Sequence, residues 1–236
     1  HISSISLGGS MSFLIRVFIG LLCFSSYSQA DICLRTPQVV AELEHITGKN
    51  CQDIGPLDLS WIQSLSFDGK SIAFLKIGDF DWLTSLENLD LDDNQLTSLP
   101  EEIFQELKQL RRIDIRFNPL TSLPEKLFQR LKLLQVVDIS WGRGQLTALP
   151  EGLFQGLTSL QGIWLQENKL TALPEGIFQG LISLEVIDLS SNKLTSLPEK
   201  IFQGQMDQIM AEDLSDRSAD KIADPMYEQF MLRRGG

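Results

Sequence analysis

A chain of 236 residues with 43% hydrophobic side chains and 22% charged ones can bury one continuous core and is too apolar to remain disordered. Its formal net charge of −11 opposes phosphate backbones, which are neutralised by Lys and Arg, so nucleic acid is set aside as a partner. Three cysteines and two histidines leave little material for a metal centre, and no cofactor motif is present.

Residues 1–10 precede the first methionine, Met11, and are treated as an upstream remnant outside the fold. From Met11 the chain carries one basic residue, Arg16, then the apolar run Val17 to Phe24, then a polar stretch with small residues at Ser28 and Ala30. That order predicts a secretory signal peptide over 11–30, cleaved before Asp31. The apolar run is too short to span a bilayer, which takes about 20 helical residues, so no transmembrane segment is expected there. Cys23 follows Leu22, where a lipid-modified cysteine takes a small residue, which makes lipidation the lesser alternative.

Cleavage would leave Cys33 and Cys51, an even pair in an exported chain, and one disulfide between them is the natural reading. Closing that loop would stabilise the fold by about 3 kcal/mol on the chain-entropy account. The alternatives are two free thiols or half a metal site, the latter short of ligands because His45 is then the only histidine. Between the cysteines the sequence predicts a helix with Thr36 as N-cap, Pro37 as its first residue, Val40 and Leu43 facing inward, and Gly48 ending it.

From residue 62 the chain repeats. Ile62, Leu86, Leu110, Leu134, Leu160 and Leu184 recur at steps of 24 residues, with a single step of 26 between Leu134 and Leu160. The shared pattern is L-x-x-L-x-L-x-x-N-x-L-T-x-L-P-x-x-(I/L)-F-x-x-L, and six copies occupy 62–204. Alternation around Leu89 and Leu91 predicts a short half-buried strand that stacks in parallel on the next copy. Asn94, Asn118, Asn168 and Asn192 follow the strands, where their amides can pair turn backbone that would otherwise be orphaned, as a structural ladder. Phe80, Phe104, Phe128, Phe154, Phe178 and Phe202 are read as a stacked spine in preference to a cofactor stripe. Pro100, Pro124, Pro150, Pro174 and Pro198 suit the first position of short helical turns.

Over 62 to about 204 the chain resembles the typical, extracellular 24-residue class of leucine-rich-repeat proteins. The resemblance implies an α/β solenoid, a right-handed horseshoe with a parallel concave sheet and convex loops or short helical turns. The segment 31–61 is similar to the short disulfide-bearing N-terminal cap of secreted bacterial members, whose role would be to cover the edge of the first repeat. Three departures stand out. The first repeat has Lys70 for Asn and Lys76 for Pro. The fourth reads Ser140-Trp141-Gly142-Arg143-Gly144-Gln145, with two extra residues and no Asn, which predicts a bulge. Finally, 205–236 lacks cysteines and places Met206, Ile209, Met210 and Leu214 at helical spacing, as for a cap helix followed by a frayed tail.

Function would lie on the concave face. Counting from each leading residue, the fourth position reads Ser66, Asp90, Asp114, Asp138, Trp164, Asp188 and the sixth reads Asp68, Asp92, Arg116, Ser140, Gln166, Ser190. The middle repeats thus gather Arg112, Arg116, Phe117, Trp141, Arg143 and Trp164, residue types that dominate binding hot spots. The expectation is a site for a protein, with a glycan also compatible, outside the cytoplasm. The plainer reading is that Phe117 and Trp141 cover the insertion. Asp90, Asp114 and Asp138 stack at repeat spacing as solvated acids or, less favoured, a calcium site. An enzyme is not expected, since a Ser-His-Asp triad would need His45, in the cap and far from the concave residues. Self-association in the cell envelope is the competing role.

Overall fold

The computed structural model describes residues 32–142 and 146–202. The expected signal peptide at 11–30, Arg143 of the insertion, and the expected cap helix and tail at 205–236 lie outside the described residues.

Six three-residue strands form one parallel sheet in chain order. They are β1 (Ser64–Ser66), β2 (Asn88–Asp90), β3 (Arg112–Asp114), β4 (Val136–Asp138), β5 (Gly162–Trp164) and β6 (Val186–Asp188). Leu65, Leu89, Ile113, Val137, Ile163 and Ile187 lie side by side in successive strands. The long step between the fourth and fifth repeats therefore leaves the register intact. These central residues and their neighbours two positions on, Leu91, Ile115, Ile139, Leu165 and Leu189, are buried in one continuous core. No repeat could close such a core alone, so stability is carried by the contacts between neighbours.

Behind the sheet the phenylalanines stack as expected. Successive rings from Phe80 to Phe202 lie 6.0, 6.3, 6.2, 6.5 and 5.8 Å apart, near parallel throughout. Phe67 extends the row at 6.0 Å but is tilted by 47°. Pro100, Pro124, Pro150, Pro174 and Pro198 each open a single tight turn, in which the proline carbonyl accepts the N–H three residues on, as in Ile103 to Pro100 and Leu127 to Pro124.

The asparagine ladder forms and has one missing rung. The Asn118 amide donates to the carbonyls of Leu91, Ile115 and Arg116, while its oxygen accepts the Leu96 N–H at 3.0 Å. Asn94 and Asn192 repeat the arrangement. In the fourth repeat Gly142 stands at the ladder position. The next rung, Asn168, still donates to Ile139, Leu165 and Gln166, but its buried oxygen finds no hydrogen-bond partner among the described residues. A Cβ at Gly142 would overlap that oxygen, so any other residue here would require the Asn168 amide to shift.

The N-terminal cap comprises α1 (Pro37–Thr47) and α2 (Pro56–Leu59), with Cys33 and Cys51 joined in a disulfide. Gly48 ends α1 in the left-handed conformation at φ 65°, its N–H donating to the Glu44 carbonyl. Val39, rather than the expected Val40, is the residue buried with Leu43. These two are one helical step of four apart and share a face, whereas Val40 lies about 100° around the helix.

Thr36 is the N-cap but does not cap with its side chain. Its hydroxyl and its N–H instead donate to the two oxygens of Asp79, at 2.6 and 2.8 Å, and the Lys76 N–H donates to the same carboxylate at 2.7 Å. Arg35 donates to the carbonyls of Asp79 and Asp81 and lies over the Trp82 ring, 5.2 Å from its centre. Asp79, fully buried, is thus the polar anchor between cap and first repeat.

Candidate binding surface

Two columns of side chains run across the concave end of the strands, and a third lies on the turn that follows. The fourth-position column is not a row of solvated acids, which corrects that expectation for Asp114 and Asp138, both buried. Each aspartate in it turns back on its own chain. Asp90, Asp114, Asp138 and Asp188 accept the N–H two residues on, from Asp92, Arg116, Ser140 and Ser190. The column is therefore part of the scaffold that fixes each strand end, a role the sequence pattern alone did not disclose.

Arg116 sits among three of these acids. Its Nε lies 2.9 Å from Asp114 and 3.7 Å from Asp138, and its terminal nitrogen lies 3.1 Å from Asp92. Arg112 approaches Asp114 less closely, at 3.8 Å. Burial would pull the Arg116 guanidinium down, but the Asp114 hydrogen bond and the three negative charges leave it higher than an ordinary arginine. Burial pushes the Asp138 carboxyl up, against the hydrogen bonds from Ser140 and the charge of Arg116. Asp92 is raised for the same first reason, opposed by Arg116. No cluster of His, Cys, Asp or Glu suited to a metal forms among the described residues. Of the acids expected as a calcium alternative, Asp114 and Asp138 are bridged by the Arg116 guanidinium, and Asp90 accepts from the Ser66 hydroxyl.

Trp164 interrupts the fourth-position column, and its indole folds down over Gly162, two residues earlier on the same face. A Cβ at Gly162 would overlap that ring. Trp164 is half-buried on the concave surface.

The third column, one residue beyond the sixth position, was missed as a unit. Gly69, Asp93, Phe117, Trp141, Glu167 and Ser191 all adopt left-handed backbone, with φ between 46° and 63°. In this conformation the N–H groups of Asp93, Phe117, Trp141 and Glu167 each donate across to the next repeat, at Arg116, Ser140, Gln166 and Ser190. Glycine is the residue suited to this geometry, and bulky side chains rarely take it. Yet repeats three and four place Phe117 and Trp141 here, stacked at 5.8 Å and 16°, and 38% and 43% exposed. Their rings pack on each other and remain open to solvent.

The model of the leucine rich repeat matches residues 84–143, 142–194 and 163–205, together more than half of the chain. The chain belongs to the leucine-rich-repeat family. No curated protein matches it. Among solved structures, this leucine-rich-repeat chain is similar to one from the Toll–Spatzle complex of Drosophila, at 26% identity and a TM-score of 0.52. That likeness covers 63% of this chain and 23% of the other, so the chain spans under a quarter of that protein. Internalin C2 of Listeria monocytogenes is similar in fold at 21% identity and a TM-score of 0.56, over 72% of this chain and 79% of that one. Family membership carries the coarse function: a repeat surface for protein interaction. No helix among the described residues is long and apolar enough to cross a membrane.

Of the residues expected on the leucine-rich-repeat surface, Arg116, Asp90, Asp114, Asp138 and Trp164 share the concave columns, Arg112 lies two residues before Asp114 on the same strand, and Phe117 and Trp141 form the ridge beside them. The same three columns carry Asp68, Asp92, Asp93, Glu167 and Asp188 as further acids, against Arg116 as their sole cation.

Proposed function

We propose that the chain is an extracytoplasmic protein-binding module that engages its partner through the concave face of repeats three to five. The observation that carries this reading is where the aromatics fall. Across the repeats the concave and ridge columns hold mostly small or acidic residues, with Arg116 and Gln166 among them, and their aromatics Phe117, Trp141 and Trp164 cluster in three consecutive repeats. Two of the three are exposed on strained backbone, a combination that costs stability and adds nothing to the core. Export is supported by the signal-like segment at 11–30 and by the Cys33–Cys51 disulfide, which persists in oxidising compartments.

The test is capture of extracellular proteins, beside a glycan array, by the wild-type chain and by an Arg112→Ala, Trp164→Ala double variant. Arg112 is chosen over Arg116 because its removal does not strip the buried acids of their counter-charge. Loss of a partner with an unchanged fold supports the reading. A partner retained by the variant places binding elsewhere on the solenoid.

A further inference from the structure

The ridge beside the concave face carries an inference about partner chemistry, and it rests on the protein-binding reading above. We propose that the Phe117–Trp141 stack is a receptor for an arginine side chain presented by the partner protein.

Three observations converge. The first is the aromatic pair itself, with stacked, near-parallel and half-open rings on a left-handed column where the first repeat uses glycine. Holding a bulky residue in this conformation strains its backbone and leaves its ring in water, so the scaffold is better served by glycine or aspartate. The second is charge. The column places Glu167, an acid, in the repeat after the rings. The third is a precedent within the chain. Trp82, also left-handed at φ 69°, already holds the Arg35 guanidinium over its ring at 5.2 Å, while that guanidinium donates to carbonyls at the ring's edge.

A guanidinium fits the ridge better than an ammonium. It is planar, stacks on an aromatic face, and keeps its in-plane donors free for carboxylates at the edge. Arg116 cannot fill this place from within, because it is engaged by Asp92, Asp114 and Asp138 on the concave side.

The full chain is titrated with acetyl-(Gly-Arg)3-amide, with the same peptide carrying citrulline for arginine, and with (Gly-Glu)3, reading intrinsic tryptophan fluorescence. The variant is Phe117→Asn, Trp141→Asn, since asparagine tolerates left-handed backbone and leaves the ladder bonds in place. The expected result is binding of the arginine peptide, weakened tenfold or more by citrulline and by the double variant, whose melting temperature is unchanged or higher. Equal binding of the citrulline peptide, equal binding to the variant, or no binding to the wild-type chain overturns the proposal. So does a concentration-dependent dimer that the variant dissolves, which would assign the ridge to self-contact. If a partner is captured through Arg112 and Trp164 yet held equally well by the Asn variant, the concave reading stands and the arginine receptor falls.

Discussion

Replacing Asp79 by alanine tests whether the cap is held to the solenoid by one carboxylate. In the native chain three donors converge on it at 2.6–2.8 Å: the Thr36 hydroxyl, the Thr36 N–H and the Lys76 N–H. Thr36 is as deeply buried as Asp79, so water does not readily replace the lost acceptor. An orphaned buried donor costs about 1–3 kcal/mol, and a hydrogen bond to a charged group contributes about 1.5–3 kcal/mol. Truncation also removes the desolvation of a buried carboxylate, which offsets part of the loss. The expected net destabilisation is about 3 kcal/mol, read by urea denaturation with far-UV circular dichroism and tryptophan fluorescence in parallel. Trp82 reports on the cap junction and Trp164 on the fifth repeat, so the two probes should separate if the cap lets go first. Thr36→Val in the Asp79→Ala background should then add almost nothing, a coupling that a double-mutant cycle isolates. A loss under about 0.5 kcal/mol, or fully additive single effects, would refute the anchor.

Other positions make equally specific claims. Asp138 has a folded-state pKa above its ordinary value of 3.8, so the stability it withholds at neutral pH returns as pH falls through the raised value toward 3.8. Asp138→Asn should therefore raise the melting temperature at pH 7, and the advantage should shrink as a melting series descends toward pH 4. Gly162→Ala should push the Trp164 indole off its seat, giving a red-shifted emission and faster acrylamide quenching with the repeats still folded. Asn118→Ala should cost more than Asn168→Ala in chemical denaturation, by about 1 kcal/mol, because only Asn118 has its side-chain oxygen paired. Equal losses would show that the missing rung at Gly142 has no energetic consequence.

Much of the fold was legible because period and core coincide. The leading residues from Ile62 to Leu184 predict the register directly, since each strand must bring its central apolar residue beside the next. The phenylalanine spine followed from the same spacing. Less legible were features in which a residue departs from the pattern in order to bond. Asp79 occupies the Ile/Leu position that precedes the spine phenylalanine in every later repeat, a visible signal whose meaning depended on Thr36 arriving from 43 residues away. Asp114 and Asp138 looked like surface acids because polarity does not reveal whether a carboxylate faces water or its own backbone. Phe117 and Trp141 were found as hot-spot residue types. Their shared left-handed column was hidden, because alternation describes strands and is silent on the residue just beyond them.

Phenylalanine stacking also sets the shape of whatever can dock. Parallel strands stand about 4.8 Å apart, whereas the spine rings lie 6.0 to 6.5 Å apart over the first five spine residues, so every repeat is a wedge, thicker at the back than at the front. The strand row is the shorter, inner arc and the ring row the longer, outer one, and the difference accumulates over the five steps from β1 to β6. A flat protein surface would touch the rims of that arc and leave its floor in water. A rounded lobe or a protruding loop would meet both, which makes partner curvature a selection filter independent of charge.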